Sequence, residues 1–249
     1  MLDTILDAGI RRLVFSSTCA TYGQPQSDLI AENHPQRPVN AYGETKLAIE
    51  RALHWYSAAY GLRYVALRYF NAAGASGDGE IGEAHDPETH LIPLVLEAAF
   101  SPERPVSIFG TDYPTPDGTA IRDYIHVEDL ADAHVLALRY LERGGRTPAF
   151  NLGAGTGHSV REVIAAAEAV TGRSVAFVEA SRREGDPSRL LAAPSRANTE
   201  LHWIPSRSSL PEIVRSSWGW RLKTSRSAAE LVHSVVAPLR TAAMGFGQP

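Results

Sequence analysis

Short apolar runs alternate along this chain with longer stretches of helical periodicity, the pattern of an α/β protein. Leu13–Ser17 and Tyr64–Phe70 read as buried parallel strands, and Ala149–Gly153 reads as a third. Between the first two lies a helical stretch, Ala41–Tyr60, with Asn40 suited to cap it and Gly61 to stop it. Leu91–Phe100 and Val127–Leu141 read as helices and Val106–Gly110 as a short strand. Ser159–Thr171 reads as a helix entered through a Ser159/Glu162 capping box. Gly74–His90 and Thr111–Thr119, rich in turn-forming residues, read as loops. The pattern after Val175 is mixed, and Ser225–Leu239 has the periodicity of a terminal helix. The chain opens on an apparent short helix, Leu2–Ala8, that ends at Gly9 and feeds straight into the first strand.

At 249 residues, 44% of them hydrophobic, the chain can bury one large domain, or a large and a small one. A net charge of -4 offers no basic surface for nucleic acid or an anionic membrane. The single cysteine, Cys19, excludes an internal disulfide and favours the cytoplasm. The first residues carry Asp3 and Asp7 and no basic stretch, so they do not form a signal peptide. No apolar run approaches the roughly 20 residues of a membrane helix. No metal site is expected; Cys19 reads as a small buried residue, and His126 and His134 as structural.

The chemistry is carried first by Tyr42-Gly43-Glu44-Thr45-Lys46. Residues four apart on a helix share a face. A free phenol titrates near 10 and is a poor base at neutral pH. A nearby ammonium favours the phenolate, so the pair reads as a general base with a lowered pKa. Ser16, Ser17 and Thr18 put hydroxyls at the carboxyl end of the first strand, where open α/β sheets bind ligands.

The stretches Phe15–Gly23, Tyr42–Lys46 and Leu67–Gly74 resemble the extended short-chain dehydrogenase/reductase superfamily. Pro87–Pro93, Ile108–Gly118, Arg122–Asp132, Asn151–Gly155 and Arg182–Asp186, in that order, narrow the resemblance to its UDP-glucose 4-epimerase family, and it runs to about Trp220. The resemblance implies a partial Rossmann sheet with a smaller, discontinuous substrate domain, NAD as cofactor and a UDP-sugar as substrate. It implies residues 1–75 and the returning strand 149–153 on the cofactor side, 76–148 and 154–224 on the substrate side, and a homodimer. Tyr42 would take the proton of the sugar O4, Thr18 would assist, and Lys46 would bind the nicotinamide ribose. Ser16 and Ser17 would lie against the cofactor, with Tyr69 and Phe70 lining the nicotinamide pocket. Asn71, His90 and Leu91 would meet the diphosphate-sugar, with His90 standing where many members have asparagine. Ser107, Ile108 and Phe109 would pack on the uracil. Arg122 and Arg183 would grip the diphosphate, and Asp186 the uridine ribose.

A full member of that family starts with a strand, a glycine-rich turn and a helix that hold the pyrophosphate. The sequence contains no such turn in the right place: Gly153–Gly157 is too late, and no helix follows Gly74–Gly82. The chain is therefore expected to be truncated at its start and, alone, not to retain NAD. A UDP-pentose 4-epimerase is a close alternative. A sugar-nucleotide 4,6-dehydratase is disfavoured because Cys19-Ala20 follows Thr18 where that subfamily shows Asp-Glu. A non-catalytic sugar-nucleotide-binding protein is the alternative from another class.

Overall fold

The computed structural model describes residues 1–146 and 148–225. The chain runs through α1 (Leu2–Asp7), β1 (Arg12–Thr18), a 3-10 turn at Cys19–Thr21, β2 (Leu29–Ile30), α2 (Ala41–Tyr60), β3 (Arg63–Tyr69) and β4 (Asn71–Ala73). It continues through α3 (Leu91–Phe100), β5 (Val106–Phe109), β6 (Ile121–Arg122), β7 (Tyr124–His126), α4 (Val127–Glu142) and β8 (Ala149–Leu152). Then come β9 (His158–Ser159), α5 (Val160–Thr171), β10 (Phe177–Ala180) and β11 (Arg189–Ala192), and residues 210–225 are helical. Beyond its first residue, the tail helix expected over 225–239 lies outside the described residues.

The three strands read from the sequence form one parallel sheet in the order β1-β3-β8. Its register sets Thr18 beside Tyr69 and Tyr69 beside Leu152, so the carboxyl ends of all three strands share one edge. Strands joined in parallel need a crossover, and α2 supplies it between β1 and β3. The helix starts and stops as its sequence dictates. Asn40 Oδ1 accepts the Gly43 N–H at 2.8 Å, and Gly61 closes the last turn in the left-handed conformation at φ 71°. α4 packs its apolar stripe, Leu130, Ala133, Ala137 and Leu141, on Val65, Leu67, Phe150 and Leu152 of the sheet. A second core joins α3, α5 and β5 through Val95, Leu96, Ile108, Val163 and Ala167. Fully burying each large aliphatic side chain contributes about 1.5–3 kcal/mol.

The Ser159 capping box is present in both directions. The short strands of the middle and late chain were not legible in the sequence: β6 and β9 pair antiparallel, β11 bridges β2 and β6, and β10 pairs with β5. Asp123 ties these pieces together. Its buried carboxylate accepts N–H groups from Ala154 (2.8 Å), Gly155 (3.0 Å) and Ala192 (3.1 Å), and burial still raises its pKa.

His126, read as structural, is 2% exposed and caps the start of α4. Its Nδ1 accepts the Glu128 N–H at 3.1 Å, so the ring proton sits on Nε2, which faces the Ser216 hydroxyl at 3.0 Å. Burial lowers its pKa from the ordinary 6.5, against the pull of Glu128, Asp129 and Glu212. The unfolded chain binds the proton first, so this contribution is complete above pH 6.5 and is lost as pH falls from 6.5 through the lower folded value. Thermal unfolding between pH 7.5 and 5 should show wild type losing up to about 1.4 kcal/mol per pH unit from this group. His126→Gln should be less stable at pH 7.5 and show a shallower acid decline. Equal slopes for the two proteins would refute the assignment.

Candidate active site

The expected catalytic residues come together at the carboxyl edge of the sheet. Thr18 ends β1, and the next three residues make a tight turn that lies against the first turn of α2. Gly43 permits this approach, because a Cβ there would overlap the Ala20 carbonyl. Tyr42, on that first turn, is thereby brought near Thr18, whose hydroxyl favours the phenolate. Lys46, one turn on, donates to the Ser16 carbonyl at 3.0 Å, with its amine 5.6 Å from the Tyr42 ring centre and 5.2 Å from that of Phe15.

The electrostatics differ from expectation. The Tyr42 pKa is raised, not lowered: partial burial leads, Tyr69 and Cys19 add to it, and only the Thr18 hydroxyl opposes. Lys46 does not lower it because its amine is turned to the Ser16 carbonyl. The phenol is protonated at neutral pH and needs a further positive charge beside it to act as a base.

Other expected contacts are placed less simply. The Ser16 hydroxyl meets His134 Nε2 at 2.8 Å; His134 Nδ1 faces the Leu130 carbonyl at 2.7 Å and must carry the ring proton, so Ser16 is the donor. Ser17 is fully buried and gives its hydroxyl to Glu50 at 2.5 Å, away from the edge. Tyr69 lies at the edge, its ring centre 6.5 Å from that of His134. Phe70 is 7% exposed and packs with Cys19, Tyr22, Ile30 and Ala192. Asn71 donates its side-chain amide to the Asp123 carbonyl at 2.8 Å.

A second group of expected residues gathers beyond the sheet. Phe109 and Ser107 share the partly open face of β5, while Ile108 faces the core and is fully buried, so its side chain is unavailable to a ligand. The Arg183 guanidinium stacks 3.9 Å from the Phe109 ring centre. Arg122 and Asp186, expected on different parts of a nucleotide, bind each other at 2.6 Å. His90 precedes α3 and is exposed; Leu91, the first residue of that helix, packs on the core below it. Two concavities lie away from Tyr42, one by Gly110–Asp112 and Glu179–Arg182, beside Arg183, and one by Ala99, Phe100 and Arg173.

Sequence reasoning missed the support beneath this edge. Glu50 and Arg68 form a buried pair, Nη2–Oε2 2.5 Å and Nε–Oε1 3.0 Å. Arg68 also reaches the Tyr22 hydroxyl at 2.9 Å, which donates to Asn151 Oδ1 at 2.6 Å. Burial opposes ionisation of Glu50, but Arg68, Ser17 and Gln36 outweigh it and hold its carboxyl below the ordinary value. The signal was in the spacing: Glu50 follows Tyr42 and Lys46 at four-residue intervals on one face of α2.

Residues 1–153 match the model of the NAD dependent epimerase/dehydratase family. A UDP-glucose 4-epimerase of Lacticaseibacillus casei is 49% identical over 220 residues, 88% of this chain and 66% of that protein. The crystal structure of UDP-glucose 4-epimerase from Brucella ovis in complex with NAD is 50% identical and superposes with a TM-score of 0.84, covering 87% of this chain and 67% of that one. A Bifidobacterium longum UDP-glucose 4-epimerase in complex with NAD+ and UDP is 35% identical, with a TM-score of 0.82 over 89% of this chain and 67% of that one. The chain thus spans about two thirds of the length of these relatives. Among the described residues no helix is long and apolar enough to cross a membrane. With its parallel β1-β3-β8 sheet and its Tyr42/Lys46 helix, the chain belongs to the NAD dependent epimerase/dehydratase family.

Proposed function

We propose that the chain works in the reversible 4-epimerisation of UDP-glucose and UDP-galactose, with NAD as cofactor and Tyr42 as the proton-transfer residue. The observation that carries this reading is the meeting of Tyr42 and Lys46, the amine 5.6 Å from the phenol ring centre, with Thr18 at the carboxyl edge of a parallel sheet. The residues present fit the nicotinamide-ribose end of the cofactor. Lys46 holds an ammonium at that edge, and Tyr42 and Tyr69 offer ring faces beside it. When bound, NAD supplies the acceptor for the C4 hydride and a positive ring near the phenol.

The chain's own part is proton transfer and orientation. With Tyr42 in its phenolate form, Thr18 accepts the hydrogen bond of the sugar O4–H and passes its own hydroxyl proton to the Tyr42 oxygen. The O4–H and C4–H bonds break and C4 becomes a carbonyl. Rotation of the 4-keto sugar exposes its other face, C4–H re-forms there, and Tyr42 returns the proton to O4. We assign residues 1–75 and strand 149–153 to cofactor binding, and 76–148 with 154–224 to the substrate. Arg183 and Arg122 serve the diphosphate, with Asp186 released to the ribose and Phe109 against the uracil. We place the protein in the cytoplasm, as a homodimer that sedimentation would reveal.

Incubating the protein with NAD and UDP-galactose should yield UDP-glucose, read by chromatography of the sugar nucleotides. UDP-xylose in parallel separates the pentose alternative. UDP binding with no turnover of either sugar would instead favour the non-catalytic reading. The dehydratase reading finds no support in geometry, since Cys19 is buried and its thiol is pushed up to about 12 by that burial. Arg183→Glu should weaken UDP binding at least tenfold in calorimetry, because a bidentate cation is replaced by a repelling charge. Unchanged affinity would remove Arg183 from the site.

A further inference from the structure

We infer that the loop entering α3 is a metal site, in which Glu83, His85, Glu88 and His90 offer two imidazole nitrogens and two carboxylate oxygens to a divalent transition ion of the zinc class. One ligand atom from each of the four lies within 4.8 Å of the others. Glu83 Oε1 is 3.0 Å from His85 Nδ1 and also touches His90 Nδ1, and Glu88 Oε1 is 3.4 Å from His90 Nδ1. Four donors at about 2.0–2.2 Å around a tetrahedral zinc stand roughly 3.4 Å apart, so the observed set needs only small moves to close on an ion. The rings are disposed to match. Two imidazoles bound to one tetrahedral ion through ring nitrogens have centres about 5 Å apart, and those of His85 and His90 are 5.1 Å apart at 61°.

Charge favours the same reading. The Glu83 and Glu88 side chains are only 18% and 21% exposed. Two covered carboxylates side by side repel. A divalent ion neutralises both. The loop is also held before any ion arrives. The Trp220 indole N–H donates to the Glu83 carbonyl at 2.9 Å, and Glu88 Oε1 accepts the N–H groups of Thr89 (2.7 Å) and His90 (2.8 Å). A carboxylate has lone pairs enough to keep those bonds and ligate as well. The mixed nitrogen and oxygen donors select zinc, copper, nickel or cobalt over magnesium or calcium. On binding, each imidazole takes its neutral Nε2–H tautomer and gives the Nδ1 lone pair to the ion.

The consequence for the enzyme rests on the proposed function: an ion here fixes His90, which stands where the diphosphate is expected, and ties residues 83–90 to the start of α3. The site itself does not depend on that reading. The test is to strip the protein with a chelator and titrate it with Zn2+ in a calorimeter, and with Co2+ while recording the visible absorption of four-coordinate cobalt. One ion per chain should bind and raise the Tm. His85→Ala and Glu83→Gln should each weaken binding at least tenfold and lose the cobalt signal. His54→Ala, an exposed histidine of α2, should bind as wild type does. Melting curves without metal establish that the variants are folded. Absence of binding, or His85→Ala binding as tightly as wild type, would overturn the inference. None of these readouts is turnover, so either result leaves the epimerase reading standing.

Discussion

Tyr42→Phe should lower turnover of UDP-galactose by about two to four orders of magnitude, the range a positioned acid–base group contributes, while UDP binding stays within twofold. The ring remains to pack and only the oxygen is lost, so the effect should fall on kcat and not on KM. The raised pKa of Tyr42 adds a second expectation. Burial, with Tyr69 and Cys19, favours the neutral phenol, so kcat/KM of the wild type should climb as pH rises from 6 to 9. Thr18→Val should lose less than Tyr42→Phe, since water can replace a relay hydroxyl. Lys46→Met should leave the position of that climb in place, because the amine is turned to the Ser16 carbonyl and does not lower the Tyr42 pKa. A Tyr42→Phe enzyme within fivefold of wild type would end the assignment of Tyr42 as the base, whatever the fate of the fold.

Arg68→Met should destabilise the protein by about 3–5 kcal/mol in urea unfolding, among the largest effects open to a single substitution here. The loss is not that of an ordinary ion pair. Arg68 is 6% exposed and Glu50 7%, so removing the guanidinium strands a carboxylate in the interior. Arg68→Met combined with Glu50→Leu should recover part of the loss, because an apolar pair of similar volume avoids the stranded charge. Recovery stays partial because Ser17, Gln36 and Tyr22 lose bonding partners. The deficit of the single variant should shrink below pH 5, where Glu50 can take a proton. A double variant no more stable than the single one would show that packing, not charge, is what Arg68 contributes.

The long elements were legible because their signals are periodic and repeated. α2 and α3 fall on the expected residues, and α2 has its cap at Asn40 and its stop at Gly61. The sheet was legible because β1, β3 and β8 each contain a short apolar run, Leu13–Phe15, Tyr64–Leu67 and Ala149–Phe150. Strands β2, β6 and β9 are two residues each, too short for any period to register. Within the candidate site, Tyr42, Lys46 and Thr18 were singled out through spacing on α2 and position at a strand end. The inward turn of Ser17, Phe70 and Ile108 was not, because the side a residue faces at the end of a strand is set by tertiary packing. The pairing of Arg122 with Asp186 was also beyond reach, since 64 residues separate them and no local pattern links them. The rise in the Tyr42 pKa turned on where one flexible amine points, which composition and spacing leave open.

The closeness of Gly43 to the turn after β1 bears on any attempt to rebuild this chemistry elsewhere. A designer transplanting the site would copy the side chains of Thr18, Tyr42 and Lys46 onto a new strand and helix. Those three groups meet only because the backbone of the helix start touches the backbone of the turn, with no room for a methyl between them. A scaffold with an alanine at that point would hold the same functional groups apart. The transferable unit is therefore four residues, and the one without a side chain sets the tolerance to which the other three must be built.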